Sequence, residues 1–245
     1  MIEIKDLTKK YGNHVAVDHI SLTVESGKIY GFLGPNGAGK STTMNMITGY
    51  LGQNEGSIKI KGYDILKEPE KAKKCIGYLP EIPPLYTDMT VLEFLEFTAQ
   101  LKKIAKAERK KCVEEAMELT KLTDMKNRMI RNLSKGYRQR VGLAQAVLGF
   151  PEIIILDEPT VGLDPIQIIE IRDLIKELGK THTVILSSHI LSEIEAVCDY
   201  IFIISKGKLV ASDSIENLTK DKTLEETFIS FVQEGEEQDV SDSQA

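Results

Sequence analysis

The 245-residue chain has no tryptophan, three cysteines, eight prolines and only 6% aromatic residues. Without Trp, stacking against a ligand ring falls to Tyr or Phe. Cys75, Cys112 and Cys198 are far apart, odd in number and form no CxxC pair. That excludes a disulfide framework and a cysteine zinc site, and a reducing compartment is expected. Long apolar runs are also missing. A bilayer span takes roughly 20 apolar residues, whereas the longest runs here are Ile153 to Leu156 and Tyr200 to Ile204. The opening Met1-Ile-Glu-Ile-Lys-Asp6 has no apolar signal region. The chain is expected in the cytosol unless something tethers it. Nor is there a basic excess. Lys and Arg number 31 against 37 Asp and Glu, for a net charge of -6. Glu234, Glu236, Glu237, Asp239 and Asp242 carry most of that in a stretch without Lys or Arg. The remaining body is nearly neutral, which argues against a nucleic-acid binder.

What is present is ordinary globular composition, 42% hydrophobic and 28% charged, in a chain long enough for a generous core. Ile2, Ile4 and Leu7, then Ile20 to Val24 and Ser57 to Ile60, alternate apolar with polar as half-buried antiparallel strands do. Ile29 to Leu33 is a continuous apolar run suited to a central strand. It leads through a glycine-rich turn into a helix expected near Thr42 to Leu51. Further strands are expected at Ile76 to Leu79, Ile153 to Leu156, Thr183 to Leu186, Tyr200 to Ser205 and Lys208 to Ala211, most with helices between them. Such alternation predicts a mainly parallel sheet covered by helices.

From about Thr90 to Met125 the strand signal stops. Thr90 and Glu93 form a capping-box pattern, and Leu92, Phe94, Leu95 and Leu101 supply an apolar face for the helix that follows. A second helix is expected from about Lys106 to Leu122. Pro80, Pro83 and Pro84 mark the entrance to this helical insertion, taken as about 85–135. Its basic residues, Lys102, Lys103, Lys106, Arg109, Lys110 and Lys111, read first as a solvated helix face and alternatively as a contact for anionic lipid or a membrane subunit. Thr223 and Glu226 form a second capping pattern, for a helix ending near Val232. Residues 235–245 are expected to be a disordered acidic tail.

Gly34-Pro-Asn-Gly-Ala-Gly-Lys40-Ser41 fits G-x-x-x-x-G-K-S without deviation, between a buried strand and a helix. In this phosphate loop the glycines let backbone amides converge on phosphate oxygens, and the helix N-terminus adds partial positive charge. Lys40 is expected to reach the β- and γ-phosphates and Ser41 to coordinate magnesium. Asn36, Gly37, Ala38, Gly39 and Thr42 complete the nucleotide-binding set with Gly34. The alternative, a glycine turn with an incidental lysine, does not account for the whole pattern. Ile153-Ile-Ile-Leu-Asp157-Glu158 is a buried strand delivering Asp157 to a magnesium position. Glu158 follows at once and is placed to polarise an attacking water. By itself this could be a core strand ending in two solvated acids; beside a phosphate loop the catalytic reading is favoured.

Leu133-Ser-Lys-Gly-Tyr-Arg-Gln-Arg140 resembles the signature motif, usually LSGGQ, of the ATP-binding-cassette (ABC) ATPases, although a Ser-capped helix start would look similar. The resemblance extends over nearly the whole folded chain. It implies an α/β fold: a P-loop NTPase core with a mainly parallel sheet, an N-terminal antiparallel β subdomain and an inserted α-helical subdomain, together spanning 1–234. It implies that Ser134 and Gly136 contact the γ-phosphate of ATP bound to a second copy. Tyr11 resembles the aromatic that stacks on adenine, and Gly162-Leu-Asp164-Pro165 the loop that crosses the dimer interface. His189 resembles the switch histidine at the γ-phosphate. Lys135 replaces the second glycine of the signature and Tyr137 its usual Gln. Glu81 stands where the family commonly has a Gln that binds magnesium or its water.

The implied function is the ATP-hydrolysing subunit of an ABC transporter, with ATP and Mg2+ as cofactors, closing head to tail as a homodimer or heterodimer. An integral membrane permease subunit is the implied partner, at the cytoplasmic face of the cell membrane. Gly77-Tyr-Leu-Pro-Glu81 and Leu-Ser-Lys-Gly-Tyr137 resemble the branch with small, separately encoded membrane subunits that export drugs, antimicrobial peptides or ions. The alternatives are a soluble non-transport ABC ATPase acting on ribosomes or DNA, and a hydrolysis-dead nucleotide sensor. One cassette, no heptad insertion and a body without basic excess weigh against the first; intact Asp157, Glu158 and His189 weigh against the second.

Overall fold

The computed structural model describes residues 1–232; the expected tail at 235–245 lies outside the described residues. The chain forms two compact units, Met1–Lys73 with the residues from Ile185 onward, and Lys74–Val184. Among the described residues no helix is long and apolar enough to cross a membrane.

The first unit opens with strands β1 (Ile2–Tyr11) and β2 (His14–Val24). Ile2, Ile4, Leu7, Val17, Ile20 and Val24 turn inward and are almost fully buried; alternation holds at Ile2–Ile4 and Ile20–Val24, and register shifts on either side of Leu7 break it between them. Strand β3 (Ile29–Leu33) is buried at every position. After it come helix α1 (Lys40–Ile47), strands β4 (Glu55–Ile60) and β5 (Tyr63–Asp64), and helix α2 (Pro69–Lys74). The antiparallel sheet has the order β2-β1-β4-β5. Helix α1 is shorter than the apolar pattern predicts. Its C-cap is Thr48, and Gly49 turns away with φ +66, a backbone that L side chains rarely adopt. The short helix α2 and strand β5 carry too few residues to show a period.

The second unit contains β6 (Ile76–Leu79), α3 (Val91–Leu101), α4 (Lys106–Leu119), α5 (Lys135–Val147), β7 (Ile153–Asp157) and α6 (Pro165–Gly179). Strands β6 and β7 pair in parallel, with Leu79 opposite Leu156. Gly77 lets α5 lie against β6, because a β-carbon there would collide with the Ala146 carbonyl. The Thr90–Glu93 capping box is formed in both directions. Two expectations fail. Leu101 is 63% exposed and not part of the buried face, which Val91, Phe94, Leu95, Thr98 and Ala99 make. The second helix stops at Leu119, and a 3-10 turn, Thr123–Met125, follows.

Two members of the basic run are also not simply solvated. Lys102 Nζ donates to the carbonyls of Gln145 (2.7 Å), Ala146 (3.2 Å) and Leu148 (2.8 Å). It thereby caps the last turn of α5, where carbonyls have no helical partner. Arg109 Nε donates to the Ile104 carbonyl at 2.8 Å. The Arg140 guanidinium, only 6% exposed, donates to the Thr120 carbonyl (3.2 Å) and to Glu170 (2.6 Å). It ties α5 to the end of α4 and to α6.

Strand β8 (Thr183–Ser188) returns the chain to the first unit, followed by α7 (Leu191–Val197), β9 (Tyr200–Ser205), β10 (Lys208–Ser214) and α8 (Ile215–Leu218). β9 pairs in parallel with β3 and antiparallel with β10. Tyr30 stacks on Phe202 at 5.6 Å and Phe32 tilts against it at 5.1 Å. Burial raises the Tyr30 phenol above its ordinary pKa, and its oxygen accepts from the Glu25 amide at 2.9 Å. The Thr223–Glu226 box is formed, and a last helix covers 224–232. The parallel pairings, the N-terminal antiparallel sheet and the helical elements give the expected α/β architecture.

Candidate functional site

The phosphate loop connects β3 to α1, and its shape follows from its glycines. Gly37 and Gly39 have φ of +81 and +103, which leaves their amides free to turn toward a common point. Gly34 has no room for a side chain, since a β-carbon would collide with the Ile204 carbonyl. The Lys40 ammonium, 5% exposed, donates to the carbonyls of Gly34 (2.7 Å) and Pro35 (3.1 Å). The loop thus holds its own cation over the space its amides enclose. Thr43 Oγ1 donates to the Gly39 carbonyl at 2.9 Å, securing the first turn of α1. Ser41 and Thr42 are half-buried in that turn, Ala38 is buried, and Asn36 and Gly37 are exposed at the tip.

A brace that the sequence did not reveal supports this loop. Gly207, in the β9–β10 turn, donates its amide to the Ala38 carbonyl at 3.0 Å. Its own carbonyl accepts from the Asp18 amide at 2.8 Å. Gly39 sits so close that a β-carbon on it would meet the Ala16 carbonyl at 2.5 Å. The only sequence signal was a Lys-Gly pair between two strands, which reads as a plain hairpin turn.

Tyr11 lies at the tip of the β1–β2 hairpin, 50% exposed, with Lys9 Nζ 5.5 Å from its ring centroid. His189 is exposed at the end of β8, directly after the fully buried Ser187 and Ser188. Glu193, on α7, is 3% exposed and accepts from Ser188 Oγ at 3.0 Å. Sequence reading missed it. The available signal was an acid on the face of α7 that also carries Ile194 and Val197.

In the second unit β7 delivers Asp157 (4% exposed) and Glu158 (8% exposed) at its C-terminal end. Glu158 has φ +47. A long side chain held in the left-handed region is strained, and such strain gathers at functional sites. Because β6 and β7 run parallel with Leu79 opposite Leu156, Pro80-Glu81 and Asp157-Glu158 leave adjacent strands at the same end. Glu81 is exposed there.

Ser134 and Asp164 are helix caps. Ser134 Oγ accepts from the Tyr137 amide at 3.4 Å, and Asp164 from the Gln167 amide at 2.9 Å, with Pro165 opening α6. These two motifs, separate in sequence, meet in space. A β-carbon on Gly136 would lie 2.6 Å from Gln167 Cδ.

In the first unit a strand leads into a glycine loop that holds a buried lysine, and in the second a parallel strand ends in two buried acids; each is a pattern found in nucleoside-triphosphate enzymes. The family model described as ABC transporter matches residues 17–161, more than half of the chain. The chain belongs to the ABC transporter family. Within that family it is 42% identical to the bacitracin transport ATP-binding protein BcrA of Bacillus licheniformis, over 90% of this chain and 72% of that protein. It is 39% identical to the linearmycin resistance ATP-binding protein LnrL of Bacillus subtilis (strain 168), over 86% of this chain and 68% of that one. Among solved structures it is similar to an ATP-binding subunit of an ABC transporter, with a TM-score of 0.84, 30% identity, and coverage of 94% and 99%. It is also similar to a dimeric ATP-binding cassette in a post-hydrolysis state bound to ADP and phosphate, with a TM-score of 0.78, 26% identity, and coverage of 88% and 99%. As a member of this family the chain is an ATP-binding, ATP-hydrolysing subunit that dimerises with ATP to power transmembrane transport.

Proposed function

We propose that this chain drives an exporter of antimicrobial or drug-like molecules through a separately encoded membrane subunit. The observation that carries the ATPase half of the reading is the Lys40 ammonium held by the carbonyls of its own glycine loop. The export half is supported by relatives named for bacitracin transport and linearmycin resistance. Those relatives are matched over most of the chain, which favours transport over a role at ribosomes or DNA. In this reading residues 1–234 form the ATPase domain and sit peripherally at the cytoplasmic face of the membrane. A homodimer and a heterodimer remain the two forms of the pair.

Each residue then has a role. Tyr11 stacks on adenine. The amides from Gly34 to Thr42 and the Lys40 ammonium hold the phosphates. Ser134 and Gly136 of a second copy close over the γ-phosphate, with the Asp164 loop between the copies. The Glu158 carboxylate takes a proton from the attacking water as its oxygen bonds to the γ-phosphorus and the bond to ADP breaks. His189 holds the γ-phosphate during that step. Ser41, Asp157 and Glu81 present hydroxyl and carboxylate oxygens, the hard donors that magnesium takes. No cluster of three or more His, Cys, Asp or Glu suited to a metal occurs among the described residues. Bound there, magnesium would neutralise charge on the β- and γ-phosphates. ATP favours the closed pair and shifts the population toward it.

The test is a tagged pull-down from a mild-detergent membrane extract, with phosphate release from ATP measured on the eluate. A multi-spanning membrane protein in stoichiometric amount, with ATP turnover, is the expected result. Recovery only from the soluble fraction, on ribosomes or DNA, would sink the export reading.

A further inference from the structure

A carboxyl group buried in a small helix needs a reason. Glu193 is 3% exposed on the seven-residue α7, beside the buried Ile194 and Val197. An apolar residue would fill the position without the several-kcal/mol penalty of burying a carboxylate. What Glu193 does is local and directed. Its Oε2 accepts from Ser188 Oγ at 3.0 Å, and the same Ser188 oxygen accepts from the Ile190 amide at 3.0 Å. The Glu193 amide donates in turn to the Ile190 carbonyl at 3.1 Å. His189 therefore sits between two residues that are tied to each other, and Glu193 fixes the tie from below.

The helix that carries Glu193 is itself set against the phosphate-loop strand. Gly31 of β3 has no side chain, and a β-carbon there would lie 2.9 Å from both Cys198 Sγ and Ile194 Cδ1. α7 can approach β3 this closely only because residue 31 is glycine. β3 ends two residues later at Leu33, and Gly34, the first residue of the phosphate loop, follows directly. A continuous chain of contacts thus runs from the phosphate-loop strand through α7 to Glu193, Ser188 and the backbone on both sides of His189.

We propose that Glu193 is a positioning residue that sets His189 relative to the phosphate loop, acting through Ser188. The proposal rests on the reading of His189 as a γ-phosphate group. Misplacing a group at a reacting phosphate by about 1 Å can cost on the order of 100-fold, so a tie two residues away is sufficient to matter.

The experiment is steady-state ATP hydrolysis by the full chain carrying Glu193→Ala, Glu193→Gln, Ser188→Ala, His189→Ala, and the Glu193→Ala/His189→Ala pair. Melting curves are recorded for each. Glu193→Ala and Ser188→Ala are expected to lower kcat by about 10- to 100-fold with KM for ATP nearly unchanged. Glu193→Gln keeps an oxygen acceptor for Ser188 and is expected to stay within about threefold of the unmodified chain. In the His189→Ala background, Glu193→Ala should add no further loss, because residues acting through one group are not additive. An undiminished kcat in folded Glu193→Ala and Ser188→Ala, with His189→Ala impaired, overturns the positioning role alone. So does a loss of the same size in the His189→Ala background. Full activity of His189→Ala overturns the reading of His189 and the proposal with it. Should Glu193→Ala fail to fold, Ser188→Ala and Glu193→Gln decide the matter by the same criteria.

Discussion

Lys135 lies across the backbone of Gly162: a β-carbon on Gly162 would run into the lysine ammonium. The lysine that departs from the family's signature motif is thus accommodated by a glycine of the loop ending in Asp164. Gly162 also has φ +66, so a side chain there is strained by the backbone, and the flexible end of Lys135 must in addition move aside. Gly162→Ala is expected to lose about 1–2 kcal/mol of stability from the backbone alone. Lys135→Gly clears the space and should recover part of the loss. Urea denaturation of both single variants and the double checks this through a coupling energy above about 0.5 kcal/mol. Strict additivity would contradict the contact.

Lys40→Ala should abolish tight ATP binding without unfolding the chain. The ammonium donates to the carbonyls of Gly34 and Pro35, which belong to the loop itself and not to a distant element of the core. A fluorescent-nucleotide titration should show a weakening of tenfold or more, since a charge-assisted bond to phosphate is worth roughly 1.5–3 kcal/mol. Unchanged affinity would mean that the loop does not hold the nucleotide.

Glu158→Gln keeps the shape of the side chain and removes its ability to take a proton. Turnover is expected to fall by about 100- to 10,000-fold while ATP binding persists. A dimer should then accumulate with ATP and be visible by size-exclusion chromatography. Near-normal turnover would falsify the catalytic-base assignment.

The Thr90–Glu93 box gives a pH dependence of known sign. Hydrogen bonds from the Thr90 amide and hydroxyl hold the Glu93 carboxyl below its ordinary pKa of 4.5. A depressed carboxyl stabilises the fold above the unfolded-state pKa, and the contribution disappears as pH falls through the folded-state value. The stability gap between the unmodified chain and Thr90→Ala should therefore be full at neutral pH and shrink in acid below pH 4.5. Denaturant titrations at several pH values would show it; a gap that widens in acid would contradict it.

Much of the architecture and the phosphate loop were legible because local chemistry dictates them. Ile29 to Leu33 is too apolar for any place but the interior, and β3 is buried throughout. The phosphate loop needs its glycines at particular positions for backbone reasons alone. The two capping boxes were readable from four residues each. The length of α1 was not, because the apolar pattern ran past the point where Gly49 takes a left-handed backbone. Leu101 misled for a related reason: its spacing fits the α3 face, but it falls on the last turn and stays 63% exposed.

By itself the sequence determined the loop that holds phosphate, the strand that delivers Asp157 and Glu158, and the capping of its helices. Each depends on residues within one turn or one strand, where sequence spacing and spatial spacing are nearly the same thing. Only the tertiary structure decided that Gly207 braces Ala38, that Lys102 caps α5, that Lys135 covers Gly162, and that α7 carries Glu193 under Ser188 while resting on Gly31. These contacts join separate strands, loops and helices, and no residue period encodes them. They exist because polar groups taken out of water must find partners on whichever elements packing brings near, and because close approaches are possible only where a side chain is absent.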